Sequence, residues 1–88
     1  MTHAPTRVTD TLRTQRRAEG RVTIQEAATA VGVVHSTLYR RLRLTRFVER
    51  DSSGTYWVDA AALALDQLAR GDAAGAGALR ALVGGTSS

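Results

Sequence analysis

The chain has no cysteine, which excludes disulfides and thiolate metal sites. Its two histidines, His3 and His35, lie far apart in sequence, so no His-based metal site is expected within one chain. Lysine is absent: all twelve basic residues are arginine. Aromatic residues make up 5% of the chain, and Pro5 is the only proline. No apolar run approaches the ~20 residues needed to span a bilayer, and the stretch from Met1 to Arg7 lacks the apolar centre of a signal peptide. A cytoplasmic protein with no membrane partner follows as the expectation. No glycine-rich phosphate loop is present. Ser36 follows His35, but neighbours on a helix point in different directions and make no nucleophile–base pair. Neither an enzyme nor a cofactor or small-molecule ligand is expected.

What is present fits one small domain. The 88 residues are 43% apolar, though much of that fraction is alanine. A domain of this size buries only about 60% of its unfolded surface and is marginal alone. Charge is divided along the chain. Residues 1–50 carry ten arginines against four acids, whereas residues 51–88 carry two arginines against four aspartates. The first half is suited to a polyanion, and the second is not.

The central stretch runs from Thr23 to Leu42. Thr23 and Glu26 have the spacing of a capping box, with Val22 and Ala27 at the staple positions. Ala27, Ala28 and Val31 repeat at helical spacing, and Gly32 stands where a left-handed residue ends a helix. A second helix follows, with Leu38 and Leu42 one turn apart on its inner side. Its outer side offers His35, Ser36, Thr37, Tyr39, Arg40 and Arg43, with Arg41 on the flank. Two short helices, a tight turn with glycine and a basic second helix form a helix-turn-helix pattern, in which the second helix lies in the DNA major groove.

Two β-rich runs come next, Arg46 to Arg50 and Thr55 to Val58, separated by Asp51-Ser52-Ser53-Gly54. They read as a hairpin. A hairpin directly after such a helix is a wing, and Arg46, Arg50, Ser52 and Ser53 are its candidate phosphate or minor-groove contacts. If Val58 points inward, alternation turns Tyr56 inward too and leaves Trp57 half exposed on the other side.

The run Ala-Ala-x-x-x-Val-Gly-Val followed by Ser-Thr-Leu-Tyr-Arg-Arg-Leu resembles the helix-turn-helix of Fis-type regulators and resolvase DNA-binding domains. With the hairpin, about residues 22–70 are similar to the excisionase/MerR-like winged helix-turn-helix family. The chain departs from the pattern at Val34, where these families usually place a capping residue. The resemblance implies a mainly α fold with a small β-hairpin. It also implies a sequence-specific double-stranded DNA-binding protein, a transcriptional regulator or an excisionase-like, DNA-bending factor of recombination, associated with the nucleoid.

The remaining segments frame that domain, placed at residues 21–71. Residues 1–8 read as a flexible arm and 9–20 as a short basic helix, with Thr9 as cap and Gly20 as stop. Arg13, Arg16 and Arg17 share a face there and are further candidate phosphate contacts. Asp59 is a good cap for a helix over 60–70, with Ala61, Leu65 and Leu68 as its core stripe and Leu63 on nearly the opposite side. Residues 72–88 read as a flexible tail with at most a short helix at 78–83, because Gly75 and Gly77 each cost a helix about 1 kcal/mol. Self-association or cooperative assembly on DNA is expected, since one small module makes a limited DNA interface. The alternative is a protein–protein adaptor or antirepressor using Leu63, Trp57 and the segment from Leu79 to Val83.

Overall fold

A computed structural model of the chain describes residues 10–84. The expected arm at 1–8, the Thr9 cap and the last four residues lie outside them. Among the described residues the protein is mainly helical, with a small three-stranded antiparallel sheet. The elements in order are α1 (Asp10–Ala18), β1 (Arg21–Thr23), α2 (Ile24–Val31), α3 (His35–Leu42), β2 (Val48–Arg50), β3 (Tyr56–Asp59), α4 (Ala60–Ala69) and α5 (Ala73–Gly84).

The local signals around α2 act as their chemistry requires. The Thr23 hydroxyl accepts from the Glu26 amide at 3.1 Å, and the Glu26 carboxylate accepts from the Thr23 amide at 2.9 Å. Gly32 takes φ 76°, a left-handed cap open to glycine at little cost. Val34 is the N-cap of α3 and provides no side-chain hydrogen bond, so α3 starts without a side-chain partner for its first amides.

β3 is the central strand, between β1 and β2. Val22 and Val48 both stand opposite Val58. Alternation puts these three valines on one face, where they join Ala27, Ala28, Leu38, Leu42, Leu63 and Leu79 in a single core. Strand β1 is an addition to the expected hairpin. Its three residues are too short for alternation to announce a strand.

Three expectations are corrected. The core side of α4 is Ala60, Leu63, Ala64 and Gln67, whereas Leu65 is 69% and Leu68 44% exposed. Gln67 can lie inside because both ends of its amide are satisfied: Arg41 donates to Oε1 and Nε2 donates to Asp72 Oδ2, each at 2.6 Å. Residues 73–84 form a full helix, not a flexible tail with a short helical piece. Asp72 accepts from the Gly75 amide at 2.9 Å, and a Cβ at position 75 would strike the Asp72 carboxylate. Gly75 is therefore needed where it stands, and burial of Ala76 and Leu79 offsets its helical penalty. Trp57, finally, is buried at 3% exposure. It does stand on the sheet face opposite the valines, but the Arg16 guanidinium of α1 covers its ring at 5.5 Å.

Candidate nucleic-acid interface

The inner side of α3 is fixed by Leu38 and Leu42, both fully packed in the core. At about 100° per residue, Ser36, Arg40 and Arg43 then fall on the far side and Tyr39 on the flank. His35, Ser36, Thr37, Arg40 and Arg43 are exposed, and Tyr39 is half-buried. The turn after the helix adds exposed Leu44 and Arg46.

Tyr39 is tied to the hairpin. Its hydroxyl donates to Tyr56 Oη at 3.3 Å, and the two rings lie 4.8 Å apart, tilted by 58°. The hydrogen bond to Tyr56, with some desolvation, holds the Tyr39 hydroxyl above its ordinary value. Arg50, opposite Tyr56 in the ladder, places its guanidinium 5.8 Å from the Tyr56 ring. The second helix and the hairpin thus meet through one tyrosine pair flanked by cations.

The tip of the hairpin is ordered by one carboxylate. Asp51 accepts from the Ser53 and Thr55 amides at 3.0 Å each, from the Ser53 hydroxyl at 2.7 Å and from Trp57 Nε1 at 2.8 Å. The hydrogen bonds from Ser53, then Trp57, hold its carboxyl well below the usual carboxylate range. Ser52 is exposed at the turn, whereas the Ser53 hydroxyl is committed to Asp51.

The arginines divide into two sets. Arg13 pairs with Asp10 at 3.4 Å, Arg16 with Glu19 at 3.0 Å, Arg17 with Glu26, and Arg21 with Glu49. Arg41 turns from the outer side of α3 to Gln67, with Asp66 at 3.9 Å. Among the described residues, Arg40, Arg43 and Arg46 make no ion pair. Of the arginines singled out from the sequence, then, Arg40, Arg43 and Arg46 are exposed on α3 and the turn after it, with His35, Ser36 and Thr37 exposed on the same helix. Arg50 lies over Tyr56 on the hairpin and also borders a pocket with Arg16 and Trp57, and Ser52 is exposed at the hairpin turn. Arg13, Arg16, Arg17 and Arg41 are directed at the protein's own acids and polar groups.

Sequence reasoning missed Tyr56 as part of this face. An inward tyrosine still needs a hydroxyl partner, and Tyr39 is the only other tyrosine in the chain; that requirement is the signal that pairs them. Among the described residues no group of three or more His, Cys, Asp or Glu side chains is placed to hold a metal ion, and no helix is long and apolar enough to cross a membrane. No family model, curated protein or solved structure matches the chain, so the chemistry of the face has to be read from its own geometry.

Proposed function

We propose that the protein is a sequence-specific double-stranded DNA-binding protein of the winged helix-turn-helix kind. In this reading α3 is the recognition helix and the β2–β3 hairpin the wing. The observation that carries it is the group Arg40, Arg43 and Arg46. These cations are exposed and without an acidic partner in a chain that pairs most of its other described arginines internally. An arginine on a major-groove helix can take guanine O6 and N7 together, worth about 1–3 kcal/mol of discrimination. Arg40 and Arg43 hold the positions for such contacts. Arg46, Arg50 and Ser52 are suited to phosphate, and the uncapped amides at the start of α3 add donors for a phosphate oxygen. The Tyr39–Tyr56 pair supports a fixed angle between recognition helix and wing.

Within this reading the protein acts as a small transcriptional regulator or as an excisionase-like, DNA-bending factor. Mapping the bound sites separates the two jobs: a promoter operator for the first, clustered repeats beside a recombination site for the second. The test of DNA binding itself is selection from a random duplex pool with the purified protein, followed by titration of the selected site against salt. Counterion release by the four cations assigned to DNA, Arg40, Arg43, Arg46 and Arg50, predicts a slope of log affinity on log salt of about −3 to −4. Absence of an enriched sequence together with a slope shallower than about −2 would overturn the reading. A protein-adaptor role is the second reading; Leu63, Trp57 and Leu79, expected to serve it, are buried, and exposed Leu65 and Leu68 are what favour it instead. It predicts no duplex binding at physiological salt.

A further inference from the structure

The outer flank of α4 is apolar where the fold does not require it. Leu65 and Leu68 are 69% and 44% exposed, although Leu63 on the same helix is fully buried. They border a groove between α4 and α5 of about 270 Å³, lined by Ala61, Ala64, Leu65, Leu68 and Arg80. A closed cavity of about 150 Å³ already holds a benzene molecule, so this open groove has room for a leucine side chain. Beside it, the exposed positions Ala73, Ala74, Gly77 and Ala81 of α5 carry nothing beyond a methyl group, which lets another helix lie close. The stem of Arg80 can lie along the rim with its charge in water.

The flank therefore presents projecting leucines and a small-residue groove side by side. A surface holding both is complementary to itself under a two-fold rotation, the condition of an isologous dimer. We propose that this flank is the two-fold interface between two copies of the chain, Leu65 and Leu68 of each seated in the α4–α5 groove of the other.

Self-complementarity selects a second copy over another partner, and size sets how tightly it is held. With ten and twelve residues, the two helices are about 15 and 18 Å long and lie about 10 Å apart, so together they present roughly 350 Å². A stable interface of standard size buries about 800 Å² on each side. The contact is weak by itself and needs a partner already held nearby. A copy on an adjacent DNA site meets that need, because tethering raises its effective concentration towards the millimolar range. That step rests on the DNA reading above; the interface itself does not. The geometry also leaves the arginine face open. Asp66 faces Arg41 of α3, and Leu65 and Leu68 lie about 100° and 160° away from it round α4.

The absence of cysteine makes the test direct, since an introduced thiol is unique. Leu65→Cys should give a covalent dimer with a short bis-maleimide, in a yield that rises with protein concentration, whereas Ser52→Cys at the hairpin should not. On a duplex with two adjacent sites, the full chain should fill the sites about tenfold more readily together than singly. Leu65→Asp should abolish that cooperativity and change single-site affinity by less than about twofold. Its thermal midpoint should stay near that of the parent chain, since the side chain is exposed. Failure of Leu65→Cys to crosslink to itself at millimolar protein would overturn the interface. So would crosslinking of the Leu65→Cys thiol only to a second thiol introduced by Gln25→Cys on α2, or only to a different protein. If the parent chain binds no duplex but the Leu65→Cys variant still crosslinks to itself, the dimer stands and the DNA reading falls.

Discussion

The arginines of α1 and those of α3 have the same chemistry and opposite surroundings. Those of α1 point at acids and at an aromatic ring: Arg16 covers Trp57, Arg17 reaches Glu26 across to α2, and Arg13 holds Asp10. Those of α3 and the turn after it, Arg41 apart, have no acid to meet among the described residues. An arginine paired at home has little charge to offer a polyanion, whereas an unpaired one attracts phosphate through the full field of its guanidinium. The difference teaches that the count of basic residues overstates the charge left free to meet a polyanion. Part of the charge in the first half of the chain closes the fold, and only the acids contributed by other elements tell that part from the rest.

The sharpest way to break this comparison is to remove cations from each set and read DNA affinity and stability together. Arg40→Ala with Arg43→Ala should lower affinity for the selected site at least a hundredfold, about 2.7 kcal/mol, and relax base preference at two positions. Its thermal midpoint should not fall, because both side chains are exposed and unpaired. Equal loss on selected and random duplex, measured by fluorescence anisotropy, would make these residues phosphate contacts and move base readout elsewhere.

Arg41→Ala tests the boundary between the sets, since Arg41 sits on α3 but behaves like an α1 arginine. Its loss leaves the buried Gln67 carbonyl without a donor, at a cost of about 1–3 kcal/mol. The expected result is a drop in the urea midpoint of that size with single-site affinity nearly intact. A large affinity loss at unchanged stability would return Arg41 to the DNA face.

Arg16→Ala should do less. Loss of the contact over Trp57 and of a half-exposed pair with Glu19 should cost about 0.5–1 kcal/mol of stability. Affinity should change by less than twofold on any duplex, and the salt slope should stay the same. Arg46→Ala, by contrast, should make the slope shallower by about 1. A shallower slope for Arg16→Ala would mean that α1 does touch phosphate.

The two sets were only half legible in the sequence. Signals confined to neighbouring residues were readable, namely the Thr23–Glu26 box, the Gly32 cap, the inward Leu38 and Leu42, and the Asp59 cap, which accepts from the Ala62 amide at 3.1 Å. The arginines of α1 do share a face at helical spacing, but which way that face turns is set by the sheet beneath it, which the spacing cannot contain. α4 misled for a related reason. Its Ala61–Leu65–Leu68 stripe is the more apolar, and the stripe the core takes includes Gln67, made tolerable inside by Arg41 and Asp72 from other elements. α5 was hidden because Gly75 lowers helix propensity locally and is required by a contact made at the helix start. In each case the missing information lay in a partner distant in sequence or in a packing requirement, not in the periodicity itself.

The smallest expected effect is on pH dependence, and it separates the hairpin from α3. Asp51 is held well below its ordinary value of 3.8 by the hydrogen bonds from Ser53 and Trp57, and Asp72 is lowered by those from Gly75 and Gln67. A carboxyl lowered in the folded state releases its proton more readily there than in the unfolded chain. Its stabilising contribution is therefore complete above the unfolded value and is lost as pH falls through that value towards the folded one. α3 contains no acid and contributes nothing to this dependence. Stability measured by urea titration should then be flat between about pH 7 and 5 and decline below about pH 4. Trp57 is the only tryptophan and donates to Asp51, so its fluorescence reports the hairpin end directly. In Asp51→Asn the chain should be less stable at neutral pH, and the decline below about pH 4 should be shallower, with only Asp72 left of the two lowered carboxyls. An unchanged acid limb in Asp51→Asn would show that this carboxylate does not order the hairpin.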